Sequence, residues 1–357
     1  MTLTELNYTV RKFAPIAVIF LLVFVMLFLA VQLLLLYVNS QKTEVVQGPP
    51  PAVIDATFNK LQPPIIPQAT SSSKYTYVLD TLDGTPNIEY ATNAATIYFI
   101  PEQAASFGSL PKVTLMAKDA GFDTEITQPK VSDNTANFDD GKRKMSIDMK
   151  NFNFNFDYVL TPEDVNLDGI NIPAENELLS QASNFLSRLT RYPTELAQGK
   201  KNIIYLNYNA QNNQIATLDS STGANMAEID YYRPDLNSYP LVTSTYYNSP
   251  HYVVFGFSQE GLRIVRAQVK FFEHSTDQTG IYPIRTAEIA WQDLQQGRGK
   301  VVSSTKDSGE IVIKKIFLAY YDPDVYQQYL QPVYVFLGDD KFVAYVTAVT
   351  DEYLLPE

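Results

Sequence analysis

Cysteine is absent from this chain, which excludes disulfides, iron–sulfur clusters and thiolate zinc sites. That absence does not fix a compartment, because exported proteins also avoid cysteine. Histidine is nearly absent: His251 and His274 are the only two. Neither has a second histidine at a metal-ligand spacing, so most histidine-based catalytic and metal constellations fall away, and structural roles are expected for both. Basic residues are outnumbered, 27 against 39 acidic, for a formal net charge of -12. Such a chain repels phosphate at long range, which speaks against nucleic acid as a partner. No Gly-x-Ser-x-Gly element, P-loop or dinucleotide fingerprint occurs either.

Aromatic residues, in contrast, make up 13% of the chain, with 24 Tyr and 20 Phe, too many for a disordered protein. The 357 residues give room for one large domain or two smaller ones around a sizeable core. From Ile16 to Val38 the sequence reads IAVIFLLVFVMLFLAVQLLLLYV, with Gln32 as its one strongly polar residue. A helix of that length spans roughly 35 Å at 1.5 Å per residue, enough for a bilayer. Arg11 and Lys12 before it, against Lys42 and Glu44 after it, favour a cytoplasmic N-terminus. The resulting expectation is a signal-anchor: a cytoplasmic stretch over residues 1–13, a single transmembrane helix over 14–38, and an extracytoplasmic remainder on the cytoplasmic membrane.

Residues 39–74 hold Gly48 to Pro51, Pro63, Pro64, Pro67 and Ser71-Ser72-Ser73, a composition that reads as a semi-extended tether. Beyond it the hydrophobic period predicts three amphipathic helices. The first carries Val113, Met116, Ala117 and Ala120 and stops at Gly121. The second carries Leu178, Ala182, Phe185 and Leu189. The third follows Thr286 as N-cap and carries Ala287, Ala290, Trp291 and Leu294 before Gly297. Between them the period is two. Met145, Ile147 and Met149 alternate with polar residues, then Phe152, Phe154, Phe156 and Tyr158 do so in shifted phase. The slip at Lys150-Asn151 reads as a β-bulge within one long strand. Gly338-Asp339-Asp340 reads as a hairpin turn. A loose repeat of helix, basic stretch and Ile/Tyr-rich strand connects "NIPAENELLSQASNFLSRL…KKNIIYLNY" with "IYPIRTAEIAWQDLQQGRG…EIVIKKIFLAYY". The expected fold is therefore α+β: repeated helix-on-antiparallel-sheet units in a first lobe over residues 75–199 and a second over 200–357.

The last part of the chain, "YPIRTAEIAWQDLQQGRG", "IVIKKIFLAYYDP" and "YLQPVYVFLGDDKFVAYVTAV", resembles the extracytoplasmic domains of YycH/YycI-type regulators and related PepSY-like modules, over about Tyr282 to Val349. The resemblance implies an N-terminal membrane anchor, helix-on-curved-sheet units and action through protein contacts, restraining a sensor kinase or a protease. It brings no catalytic motif.

The stretch "DVNLDGINIPAE" is the strongest chemical signal. Asp164, Asn166, Asp168, Gly169 and Glu175 fall at positions 1, 3, 5, 6 and 12 of an EF-hand-type loop, with Ile170 at the backbone-carbonyl position 7. Alternating side-chain oxygens around a Gly turn can converge on Ca2+. The alternative is a polar loop whose acidic end caps a helix, since the upstream segment reads as a strand, Pro173 stiffens the loop and Asn171 stands where an aliphatic is usual. Asp322-Pro323-Asp324 and Asp339-Asp340 read as solvated turns, and Lys142, Arg143 and Lys144 as a charged hairpin tip. A second candidate site is the tyrosine cluster Tyr231, Tyr232, Tyr239, Tyr246, Tyr247 and Tyr252 in a Pro- and Asn-rich stretch. It offers rigid amphipathic area for a protein or peptide partner if the rings lie on the surface, and core if they do not. Together these features predict a non-catalytic, membrane-anchored binding or regulatory protein. The alternatives are a structural subunit of a bacterial cell-envelope or secretion assembly, a calcium-dependent binding module and, last, a hydrolase using the scattered carboxylates.

Overall fold

The computed structural model describes residues 20–34, 53–81, 86, 92–161, 172–258 and 261–356. The chain divides into two compact units, residues 1–52 and 53–357. In the first, the described part is helix α1, residues 20–34. This corrects the expected single-pass anchor: among the described residues no helix is long and apolar enough to cross a membrane. The fifteen residues of α1 extend about 22 Å at 1.5 Å per residue, short of a hydrocarbon layer of roughly 30 Å. The rest of the expected span, 14–19 and 35–38, lies outside the described residues. The signal-anchor, the membrane contact through residues 16–38 and the single-pass localisation built on that span lose their support with it.

Period-two patterning dominates the second unit. Strand accounts for 38% of the structure and helix for 20%, so the expected α+β chain of repeated helix-on-sheet units is corrected to a mostly β architecture of large curled sheets with short helices. The reason is connectivity. Strand β7 (Phe154–Tyr158) pairs with β13 (Gly261–Val269), which merges the strands after helix α2 (Ser109–Asp119) and those after α3 (Glu175–Arg188) into one nine-stranded sheet, so the two helices share a sheet and do not each close a unit of their own. The nine-stranded sheet has the order β4 (Lys130–Ser132), β5 (Thr135–Asp139), β6 (Arg143–Asp148), β7 (Phe154–Tyr158), β13 (Gly261–Val269), β12 (Tyr252–Ser258), β10 (Met226–Tyr231), β8 (Lys201–Asn209), β9 (Gln214–Leu218). The seven-stranded sheet has the order β1 (Thr70–Ser71), β15 (Lys300–Ser303), β19 (Val343–Thr347), β18 (Pro332–Gly338), β16 (Gly309–Tyr321), β11 (Leu241–Val242), with β2 (Tyr75–Leu79) also paired to β16. A small sheet joins β14 (Thr279–Pro283), β3 (Ala94–Phe99) and β17 (Tyr329–Leu330). Residues 53–74 lie along this unit, with Leu61 and Ile66 buried and Leu61 bonded through its backbone to Tyr353 and Leu355.

The helices stand where periodicity places them. Helix α2 (Ser109–Asp119) buries Val113, Met116 and Ala117, and α3 (Glu175–Arg188) buries Leu178, Ala182, Phe185 and Leu186. Both cover one face of the nine-stranded sheet, in a core with Ala227, Ile229 and Tyr231 of β10. In α3 the acidic Glu175 and Glu177 open the helix and Arg188 closes it, each at the end where the helix dipole favours its charge. The short α4 (Thr194–Gln198) follows. Helix α5 (Ala287–Gln295) starts at Thr286, whose side chain accepts from the Ile289 N–H, and packs Ala290, Trp291 and Leu294 against Ile316, Leu318 and Phe336. The expected bulge at Lys150-Asn151 is instead the turn of a hairpin: β6 pairs antiparallel with β7, Ile147 opposite Phe154. Asp148 turns the chain by accepting from the Lys150 N–H at 2.8 Å, and Phe152 takes a left-handed φ of 61°.

Gly199 fixes how α4 meets the end of β10. A Cβ there would stand 1.6 Å from the Tyr232 carbonyl oxygen and 3.1 Å from that of Glu195, so only a glycine lets the two backbones touch. Gly199→Ala is expected to lower the unfolding free energy by roughly 2–3 kcal/mol. Urea denaturation checks this, and an unchanged midpoint would show that the backbones do not approach so closely.

Candidate functional site

The structure gathers four of the six tyrosines singled out by sequence. Tyr232, Tyr239, Tyr246 and Tyr247 line a groove of about 610 Å³ together with Lys315 and Phe317 of β16. Tyr231 is elsewhere: it is fully buried, its ring 5.6 Å from that of Tyr192, and serves the core. Tyr252 sits half-buried on the open face of the nine-stranded sheet, beside Met226 and Val254. Of the calcium-loop residues, Asp164, Asn166, Asp168 and Ile170 lie outside the described residues, and Glu175 is exposed at the start of α3. Among the described residues, no group of three or more His, Asp or Glu side chains is arranged to hold a metal ion.

Local backbone chemistry aims the tyrosines. Leu236 and Tyr239 exchange both backbone hydrogen bonds across Asn237 and Ser238, which have φ of 51° and 67°. That is the two-residue turn with left-handed central residues for which Asn is well suited. Tyr246 also takes a positive φ, 61°, a conformation that costs a bulky residue energy and persists only where its surroundings fix it. The surroundings here are the Thr243 and Thr245 hydroxyls, both donating to the Asn248 carbonyl at 3.0 and 2.9 Å, and Tyr345, whose hydroxyl donates to the Thr243 carbonyl at 2.8 Å. The Tyr246 and Tyr247 rings meet edge-on at 5.0 Å.

The floor of the groove is an edge of β16 that no described strand covers between residues 314 and 319. On one side β16 pairs with β18 along most of its length. On the other, β2 pairs only with Gly309 to Ile313 and β11 only with Tyr320 and Tyr321. Over residues 314–319 no described backbone pairs with that second side. The Tyr320 N–H donates to the Pro240 carbonyl at 2.9 Å, so by strand alternation the N–H and C=O groups of Ile316 and Leu318 face the same open edge. Lys315 reaches over it, its ammonium 5.2 Å from the Phe317 ring centroid.

Behind the groove is a buried ion cluster. The Arg233 guanidinium donates to Asp322 Oδ1 at 2.7 Å, to Glu195 Oε2 at 2.7 Å, to His274 Nδ1 at 2.7 Å and to the Phe272 carbonyl at 3.3 Å. Arg233 and Asp322 have side chains only 1% and 3% exposed. Asp322 is thus no solvated turn residue, as its Asp-Pro-Asp setting suggested. Burial alone would raise its pKa, but the Arg233 charge and the His251 contact hold it below the ordinary 3.8. Arg233 shows the converse: burial opposes its charge, and Asp322 and Glu195 overcome that to raise its pKa. His251 accepts the Lys270 N–H at Nδ1, 3.2 Å away, which puts its proton on Nε2, 3.6 Å from Asp322. Burial first, then neighbouring positive charge, lowers the pKa of His274. Burial also lowers that of His251, against the pull of Asp322.

A second buried carboxylate underlies the tyrosine loop. Asp230 Oδ2 accepts from the Ser249 N–H at 3.2 Å and the Tyr232 hydroxyl at 3.2 Å. Its Oδ1 finds no donor among the described residues. Burial, and then the adjacent Glu228, push Asp230 up to about 7. Sequence reasoning missed both clusters. Their trace in the chain is an acidic pair two residues apart, Glu228 with Asp230 and Asp322 with Asp324, which reads as a solvated turn until burial is known.

No family model matches the chain, and no curated protein does. Among solved structures it is similar to an uncharacterized protein from Eubacterium rectale ATCC 33656, at 10% identity over 78% of this chain and 89% of that one, with a TM-score of 0.33. The function has to be read from the site.

Two outcomes test the buried groups. Arg233→Met strands Asp322 and Glu195, and should cost about 3–5 kcal/mol in urea unfolding; a loss below about 1 kcal/mol would show that the cluster contributes no more than a surface pair. Asp230 binds its proton more tightly in the folded state, so its favourable contribution is complete below 3.8 and is lost as pH rises from there through about 7. Asp322, His251 and His274 act in the opposite sense, favouring the folded state as pH rises. Asp230→Asn keeps both hydrogen bonds and removes the charge. The variant should therefore melt a few degrees above wild type near pH ~8, the gap closing as pH approaches ~4. A gap independent of pH would sink this assignment.

Proposed function

We propose that this protein is a non-catalytic binding module that takes an extended segment of a partner protein into the tyrosine-lined groove, adding it as a strand to the edge of β16 that no described strand covers. The observation that carries this reading is the pair of residues Ile316 and Leu318, whose backbone groups face the groove without a described partner between β2 and β11. Open edges attract strands, and strand addition draws affinity from main-chain bonds and selectivity from flanking pockets. The tyrosines supply such pockets with little rotamer freedom to lose. Lys200 and Lys315 face the groove against one exposed carboxylate, Asp235, which favours a segment bearing an acidic side chain beside an aromatic or aliphatic one. The non-catalytic reading is supported by the Arg233 cluster, whose groups are engaged within the fold: Asp322 by Arg233, and His251 Nδ1 by the Lys270 amide. Action through protein contacts is also what the YycH/YycI resemblance implies.

A display library of random peptides of about ten residues, screened against the full chain, tests the reading. Selected peptides should protect the Ile316 and Leu318 amides from hydrogen exchange. Tyr247→Ala, at a ring 43% exposed, and Lys315→Glu should each weaken binding by roughly tenfold or more. Peptides that protect another surface, or no binders, would reject the groove. Self-association that protects the same two amides would replace the peptide with a second copy of the chain, as an assembly subunit requires.

A further inference from the structure

We infer that Glu228 and Asp230 form a proton-operated latch beneath the tyrosine loop: a proton held between the two carboxyls keeps Tyr246 and Tyr247 in place at the groove, and its loss releases them and weakens binding there. The effect on binding rests on the groove reading above. The latch itself does not.

The geometry calls for the proton. Both residues belong to β10, two apart, so their side chains leave the same face of the sheet. Asp230 is fully buried and Glu228 half-buried, and the two side chains are in hydrogen-bonding contact. Two ionised carboxylates have no donor with which to make such a contact, and at that range they repel. Asp230 Oδ2 already accepts from the Ser249 N–H and the Tyr232 hydroxyl. Oδ1 finds no donor among the described residues, so Oδ1 is the oxygen that can carry the proton toward Glu228. The surrounding charges agree with that placement. Arg266 of β13 favours the ionised form of Glu228 while pairing with Asp157 of β7 at 3.1 Å. Lys341 lines the same cavity as Glu228, and Lys200 lines the groove beside Tyr232. From the neighbouring strands, β12 sets Tyr252 opposite Asp230, and β8 sets the uncharged Asn202 and Ile204 opposite Asp230 and Glu228.

Three consecutive loop residues depend on this pair. Ser249 donates to Asp230 Oδ2, and the Asn248 side chain is hydrogen-bonded to Glu228. The Tyr247 carbonyl lies 3.2 Å from the Tyr232 hydroxyl, which lies 3.2 Å from Asp230 Oδ2 as well. That hydroxyl has one proton to give. A neutral Asp230 leaves it to the Tyr247 carbonyl, whereas an ionised one is the stronger acceptor and claims it. Loss of the shared proton therefore sets two carboxylates against each other and withdraws the donor from Tyr247. Tyr246, at its φ of 61°, keeps that conformation only while its neighbours fix it. The added negative charge also stands behind a groove that favours an acidic segment. Burial and the Glu228 charge push Asp230 up to about 7, so the latch is closed below that pH and opens as pH rises through it. His251 and His274, both lowered from 6.5, are already neutral there.

Hydrogen exchange of the Tyr246 and Tyr247 amides in the full chain, corrected for the intrinsic pH dependence of exchange, tests the latch. Wild-type protection should fall by about tenfold between pH ~6 and ~8.5. Asp230→Asn, which keeps a donor toward Glu228 at every pH, should hold it constant, and Glu228→Gln, which removes the repelling charge, should move the fall to lower pH. Protection that is constant in the wild type, or that falls equally in Asp230→Asn, would overturn the latch. A peptide that protects Ile316 and Leu318 at pH ~6 should bind the wild type about tenfold more weakly at pH ~8.5, and Asp230→Asn equally at both. Equal wild-type affinity at the two pH values would overturn the control of the groove. Protection that responds to pH while no peptide binds at either value would uphold the latch and reject the groove.

Discussion

Arg233 is the residue on which the two large sheets depend for their register. It stands two residues beyond β10 of the nine-stranded sheet and binds Asp322, which follows directly on β16 of the seven-stranded sheet. It binds Glu195 of α4 as well, and its guanidinium carbon lies 4.6 Å from the Phe271 ring centroid. Placing charge so deep costs several kcal/mol per ion before pairing, and an apolar contact could hold the sheets with less expense of solvation. What an apolar contact would not supply is direction. A guanidinium fork with four named acceptors accepts one arrangement of its neighbours, and a slide of either sheet would leave a buried charge unpaired. The tyrosine groove lies between the strands so fixed, with Arg233 in its wall.

β16 also has an edge that no described strand covers, in an otherwise well-paired sheet. β16 has thirteen residues, longer than any partner. The shift in its pairing between Ile313 and Lys315 marks where β2 ends, and β11 begins only at Tyr320. Between them Lys314 and Lys315 are exposed. Lysine on an edge is a usual protection against indiscriminate strand pairing, and here it leaves the edge accessible while discouraging apolar and basic strands. Protection and selectivity are then the same two charges.

How much of this could be read in the chain depends on the range of the determining interaction. Val113, Met116 and Ala117, or Leu178, Ala182 and Phe185, repeat at helical spacing within a few residues, and the helices are where that spacing puts them. The turn after Gly338 is equally local. The hairpin at Lys150-Asn151 was misread as a bulge because both conformations interrupt a period-two pattern in the same way. What separates them is the left-handed φ of Phe152, an unusual choice for an aromatic residue. The sheet order was beyond local reading altogether, since β7 pairs with β13 across more than a hundred residues. The apolar run at Ile16 to Val38 predicts a span of which the described part is the helix at 20–34, too short by itself to cross a membrane. The tyrosine cluster was legible as a cluster, but strand alternation divided it. Tyr231 points to the helices and Tyr232, one residue on, to the groove.

Three departures from local rules meet around the tyrosine groove. Tyr246 has a positive φ, Asp230 is a carboxyl buried beside a second carboxyl, and two residues of β16 have outward backbone groups with no described partner. Each alone is the kind of departure a protein tolerates somewhere. Yet Asp230 holds the Ser249 amide at the end of the Tyr246 loop, Tyr232 bridges Asp230 to the Tyr247 carbonyl, and that loop stands over the unpaired edge. Consistency across levels is what lets a sequence specify one structure, and departures persist where function repays them. A loop whose strained tyrosine is fixed from below by a protonatable carboxyl presents its rings in one conformation, an ordering cost already met in folding.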